Sequence, residues 1–125
     1  MIKVLAFVSR LPHVTREAFR SYYETKHAPM IPGLMPTISS YERNYPNVSR
    51  IRPPEGKTLD DMVEFDAVTI LRFEDQAAFD AYKQVLRDPA VMALIQADEA
   101  NFLDSRKTRL FIVDEEVSQL PPGQP

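Results

Sequence analysis

Glu64–Leu86 reads E-F-D-A-V-T-I-L-R-F-E-D-Q-A-A-F-D-A-Y-K-Q-V-L. Within this one stretch the apolar period changes from two to about 3.6, the signature of a strand handing over to a helix. Glu64–Phe73 alternates and is rich in β-branched and aromatic residues, so it is the clearest strand in the chain. Phe65, Ala67, Leu71 and Phe73 are expected on one face, with Val68 and Ile70 on the other. Asp75–Leu86 then carries Ala78, Phe79, Tyr82, Val85 and Leu86 as the apolar stripe of a helix.

The same alternation continues outward in both directions. Ile2–Arg10 is a β-branched, aromatic run bounded by Pro12, which predicts a first strand, with Ile2, Val4, Ala6 and Val8 opposing Leu5 and Phe7. Thr15 stands as a helix N-cap, and Thr15–Lys26 reads as a helix. Pro29, Pro32, Gly33 and Pro36 are expected to forbid regular structure until Ile38. Ser39–Tyr45 follows as a strand, with Tyr41, Arg43 and Tyr45 on one side and Ser40, Glu42 and Asn44 on the other. Pro46–Met62, with Pro53, Pro54 and Gly56, shows no sustained period and reads as a loop. Pro89–Phe102 is a second helical piece opened by proline, and Lys107–Val113 is the last strand.

The order is therefore β-α-β-β-α-β: an α+β, ferredoxin-like domain with a four-stranded antiparallel sheet and helices on one face. It is expected to fill residues 1–117, leaving residues 118–125 as a Pro-rich tail, frayed or lying over a neighbour. Both sheet faces carry apolar residues, and the helices cover only one. Leaving several Leu-sized side chains exposed forgoes about 1.5–3 kcal/mol each. A homodimer through the open sheet face would recover this; the alternative is that the 46–62 loop and the tail fold across it.

Composition narrows the function classes. The 125 residues fit one domain with a real core. Apolar content of 44% and charged content of 26% are those of a soluble globular protein. A net charge of −3 with scattered basic residues argues against nucleic acid. There is no cysteine, so disulfides, thiolate nucleophiles and zinc–thiolate sites are excluded. Val4–Val8 is too short for a signal peptide, and no run approaches the roughly 20 apolar residues of a membrane span. A cytoplasmic location, with no membrane or nucleic-acid partner, is the expectation.

Several side chains are candidates for chemistry. His27 stands at the expected helix end, where it either caps a carbonyl or acts as a general acid/base. Tyr41 is either a core aromatic or an orienter of a substrate carbonyl. Arg43, on the same strand face, either holds an oxyanion or forms a salt bridge. Asn44 faces the other way and is a weaker binding candidate. Asp66 interrupts an apolar strand and needs a partner, for which Arg43 or His27 would serve; either it is a structural ion pair, or it orients the imidazole or takes a proton itself. Tyr23 packs a helix on the sheet or walls a pocket. Met30 and Leu34, apolar within the proline segment, imply folding over the core edge or a ligand. His13 reads as surface, and the two histidines have no metal-site spacing.

The helix Phe19–Lys26, H-A-P at His27–Pro29, P-G-L with the proline turn, Y-E-R-N at Tyr41–Asn44 and F-D-A-V at Phe65–Val68 together resemble an EthD-type domain. That family belongs to the dimeric α+β barrel superfamily, which includes methylmuconolactone isomerases, small polyketide cyclases and EthD-like dehydratases. The resemblance implies a homodimer with a pocket between sheet and helices, taking a small cyclic or aromatic substrate without metal or organic cofactor. It further implies that His27 and Tyr41 line that pocket. The expected function is a cofactor-independent isomerase, dehydratase or lyase, with His27, Tyr41 and Asp66 catalytic and Arg43, Asn44, Tyr23, Met30 and Leu34 around the substrate. The alternatives are a non-catalytic binding or accessory protein and a cofactorless monooxygenase.

Overall fold

A computed structural model describes residues 1–123. Four strands, β1 (Ile2–Val8), β2 (Ser40–Asn44), β3 (Ala67–Phe73) and β4 (Arg109–Val113), form one antiparallel sheet in the order β2-β3-β1-β4. The expected α+β, ferredoxin-like arrangement is observed. Burial alternates along β1 and β3, with Val4, Ala6, Val8, Ala67, Thr69, Leu71 and Phe73 turned into the core. Leu5 pairs with Ile70 on one side and Phe111 on the other, and Phe7 pairs with Val68, all on the opposite face. Phe65 was expected alongside Ala67. It precedes β3 and stacks edge-on against Phe7 at 5.2 Å, on the open face.

The helical layer differs most from expectation. Helix α1 (Arg16–Tyr22), capped by the Thr15 hydroxyl, does not stop at Lys26. It widens into a π-helical turn, Tyr23–His27, and continues as α2 (Ala28–Leu34) through Pro29 and Pro32. The Ala28 N–H bonds the Tyr23 carbonyl, five residues back. The Thr25 hydroxyl takes the Ser21 carbonyl at 2.6 Å. Both relax the strict i→i−4 ladder just before the first proline, which otherwise clashes with the carbonyl four residues behind it. Within the expected loop, residues 48–50 form a 3-10 turn. Helix α3 (Leu59–Met62) is set by a capping box between Thr58 and Asp61. Helices α4 (Gln76–Leu86) and α5 (Pro89–Glu99) are capped by Asp75 and Asp88.

Two clusters make the core. One gathers Val4, Ile31, Met35, Leu71, Phe73, Phe79, Tyr82 and Ile95. The other gathers Ala6, Val8, Phe19, Tyr23, Ala28, Ala67, Phe102 and Leu103. Phe19, Phe73 and Phe102 are fully enclosed, each contributing about 1.5–3 kcal/mol of burial. Along the sheet, the small side chains of Ala6 and Thr69 lie where the clusters meet, and the seam between them stays open as a cavity.

The open face carries Leu5, Phe7, Val68 and Ile70 half-buried, and Phe111 is 52% exposed. Its charged rim is paired: Lys3 and Arg72 both reach Glu115, and Arg72 also reaches Glu42. The chain beyond β4 has no regular structure to Gly123, and Gln124 and Pro125 of the expected tail lie outside the described residues.

Candidate active site

The cavity between helices and sheet has a volume of about 400 Å³, toward the low end of small-molecule pockets. One helical edge supplies Tyr23, His27, Ile31 and Met35, a series at every fourth residue. Such a series drifts around a straight α-helix of 3.6 residues per turn, and the wider π turn takes up part of the drift. The proline segment, expected as a loop, is therefore a wall of the site. Met30 and Leu34 pack against the first core cluster instead, and Ile31 and Met35 take the positions expected of them.

His27 is 5% exposed. The helix end expected at His27 is not there; the residue sits in the middle of a continuous helix and is held from the side. Its Nδ1 lies 2.8 Å from Asp98 Oδ2 on α5. A carboxylate only accepts, so Nδ1 carries the proton and Nε2 keeps the lone pair. Asp98 Oδ1 accepts from the Tyr22 hydroxyl at 2.7 Å, and Asn101 donates to that hydroxyl at 2.9 Å. Both carboxylate oxygens are thus engaged, which fixes the ring plane. Burial pushes the imidazole below its usual range, with Asp98 opposing, so the neutral ring dominates at pH 7. The Phe102 ring tilts against the imidazole at 5.1 Å.

Two phenols share the cavity with the imidazole. The Tyr23 hydroxyl shares a 2.6 Å hydrogen bond with Thr69. Tyr41 reaches the cavity from β2, and burial, together with the neighbouring Tyr23 phenol, pushes its hydroxyl well above the ordinary range. Both stay protonated and can donate to an oxygen. Glu99, next to Asp98, also lines the cavity. Burial raises its carboxyl to about 7, and Asp98 adds to the rise.

The remaining expected site residues lie elsewhere. Arg43 grips Glu24 through Nε at 2.8 Å and Nη2 at 2.9 Å, with its guanidinium 4.8 Å over the Tyr41 ring. It backs Tyr41 from outside the cavity. Asn44 donates to the Val68 carbonyl at an exposed sheet edge. The expected pairing of Asp66 with Arg43 or His27 is not formed. Asp66 accepts from the Arg10 backbone at 2.8 Å and pairs with the Arg10 and Arg16 side chains. It lies beside a separate recess of about 130 Å³. The cavity brings together Tyr23, His27 and Tyr41 from the expected set and adds Glu99 and Thr69, with Asp98 holding the imidazole. One signal for Asp98 and Glu99 was present in the sequence: two adjacent acids in the last turn of a helix oppose its dipole.

Among the described residues, no cluster of three or more His, Asp or Glu side chains is placed to hold a metal ion. Nor is any helix long and apolar enough to cross a membrane.

A family model described as the EthD domain matches residues 11–106. Among solved structures, the chain is similar to the protein At3g17210 from Arabidopsis thaliana, at 11% identity and TM-score 0.59, covering 96% of this chain and 100% of that one. HapK from Hahella chejuensis matches at 13% identity and TM-score 0.58, over 98% and 100%. An ethyl tert-butyl ether D (EthD) family protein from Bacillus halodurans matches at 19% identity and TM-score 0.58, over 93% and 100%. At these identities the likeness is one of fold. No curated protein matches the chain.

Proposed function

The chain belongs to the EthD domain family, and on that premise we propose that its cavity is an acid–base site moving a proton on a small cyclic or aromatic carbonyl compound. The observation that carries this reading is the His27–Asp98 pair, buried beside two protonated phenols in a largely apolar cavity. His27 Nε2 is the base, and Asp98 holds the tautomer and steadies the imidazolium that forms. Tyr41, with Tyr23 beside it, donates to the substrate oxygen as negative charge develops there. The apolar walls, Ile31, Met35 and Leu71 among them, hold a ring against this edge.

No Lys or Arg lines the cavity among the described residues. A substrate carboxylate would find no cationic partner, so the reading favours an uncharged ring. The reaction is an isomerisation, dehydration or related lyase step in the cytoplasm, calling on no organic cofactor. The open face, with Leu5, Phe7, Ile70 and Phe111, favours pairing two copies of the chain sheet to sheet. Light scattering at micromolar concentration should give a dimer and Phe111→Lys a monomer. A monomeric wild type would sink the dimer.

The test of the site is solvent exchange. Unsaturated lactones and cyclic diketones are incubated with the protein in D2O and followed by proton NMR. Wild type should accelerate deuterium uptake at the acidic carbon. His27→Ala should lose about 10²–10⁴ of that rate, and Tyr41→Phe a smaller factor. Equal rates in wild type and His27→Ala would remove the acid–base reading, and tight binding of such a ring without exchange would favour a binding protein.

A further inference from the structure

We propose that Glu99 is the second proton-transfer group of this cavity, a carboxylic acid that delivers a proton to a substrate position other than the one His27 deprotonates. The inference rests on the acid–base reading of the site and deepens it, because it selects a proton shift between two atoms of a conjugated ring.

The placement comes from α5. Consecutive helical residues point about 100° apart, so Asp98 reaches the imidazole and Tyr22 while Glu99 lines the cavity. The titratable groups that share the cavity with Glu99 are Tyr23 and His27 from the π turn, Tyr41 from β2 and Tyr82 from α4, and Asp98 on its own helix acts on it through charge. None is a permanent cation. Among the described residues its carboxyl has no hydrogen-bond donor. A half-buried carboxyl without a partner costs stability, and its place in the last turn of a helix adds to that cost. Gln or Leu would remove both penalties, and a position that keeps them is the pattern of a functional group.

The protonation states then fall in the required order. Burial lowers the imidazole and raises the carboxyl to about 7. Just below neutrality the base is deprotonated and the acid still protonated, two groups with their affinities moved apart by environment. For an unsaturated cyclic carbonyl the steps balance. The C–H bond beside the carbonyl breaks, its proton goes to His27 Nε2, and the electron pair moves into the conjugated system as a dienolate held by Tyr41. The Glu99 O–H bond then breaks and leaves its electron pair on the carboxylate; the terminal π pair of the dienolate takes the proton as a new C–H bond, the double bond shifts inward, and a lone pair of the enolate oxygen re-forms the carbonyl. The imidazolium passes its proton through water to the Glu99 carboxylate, restoring both groups. The substrate class is an uncharged butenolide or cyclic enone whose double bond moves.

Two measurements test this. The first is a carbon-13 titration of the glutamate carboxyls in wild type, with the Glu99 resonance identified by its absence in Glu99→Gln. A midpoint near 7 is expected; one near the ordinary value of about 4 overturns the proposal, whatever the substrate. The second uses α-angelica lactone, whose double bond migrates by the proposed shift. Glu99→Gln should lower the ratio of isomerisation to deuterium exchange at least 100-fold. An unchanged ratio overturns the role of Glu99 and leaves that of His27 standing. Exchange that persists in His27→Ala overturns the acid–base reading itself.

Discussion

Glu24 and Glu99 are the same side chain placed in helices of one layer, and the fold treats them in opposite ways. Glu24 accepts two hydrogen bonds from Arg43 and one from Tyr45 at 2.5 Å, and the Arg43 guanidinium holds its carboxyl down at about 2. Glu99 meets a buried wall with no donor, and its carboxyl rises to about 7. Depth and partnership both separate them: burial is what raises Glu99, which has no cation beside it, while the Arg43 guanidinium holds the shallower Glu24 down. A carboxylate gripped by a guanidinium is a structural pin that keeps its charge, whereas one beside phenols can exchange a proton near neutral pH.

The largest expected effect falls on the mobile side of this comparison. Asp98→Asn removes the carboxylate that steadies the imidazolium and should cost about 10–100-fold in exchange rate. The acid limb of the pH profile should move down, because Asp98 raises the imidazole's proton affinity. A limb that moves up, or stays put, would break the pairing as a functional unit.

Next comes stability. The Glu99 carboxyl goes from an ordinary value of 4.5 to about 7 on folding, so the folded state holds the extra proton between those values. The contribution of Glu99 should be fully present below pH 4.5 and be lost, by up to ~3 kcal/mol, as pH rises through 7. Glu99→Gln should flatten that fall and melt higher than wild type at pH 8. Glu24 runs the other way. Its contribution is present above pH 4.5 and is lost as pH falls through about 2. Glu24→Gln should cost about 1 kcal/mol at pH 7, a figure discounted because the carboxylate is partly exposed. If the two variants shift thermal stability in the same direction at pH 8, the contrast fails. The smallest effect belongs to the sheet edge, where Asn44→Ala should change stability by about 0.5 kcal/mol or less and leave exchange unaltered.

The same logic explains which site residues were legible. His27, Tyr41 and Tyr23 could be nominated by side-chain chemistry, and the family resemblance implied that His27 and Tyr41 line one pocket. Arg43 was equally nominable, since it shares a strand face with Tyr41, yet Glu24 from the π turn captures it outside the cavity. Asp66 demanded a partner, and its partner proved to be Arg10, brought beside it by a backbone bond from Asp66 to Val8 at the end of β1. Asp98 lies 71 residues from His27, and no local pattern encodes that meeting. The prolines at 29 and 32 misdirected the reading because their cost depends on the hydrogen-bond register of the preceding turn, which the π widening changes.

By itself the sequence determined the order of elements, the two faces of the sheet and the family pattern, because period and turn chemistry act over a few residues. Only the tertiary structure decided that the proline segment is helical, that the imidazole belongs to Asp98, and that Glu99 is left without a donor. Those outcomes depend on which groups from distant segments meet in the cavity seam. There, a single partner gained or missed moves a proton's affinity by more than any local preference does.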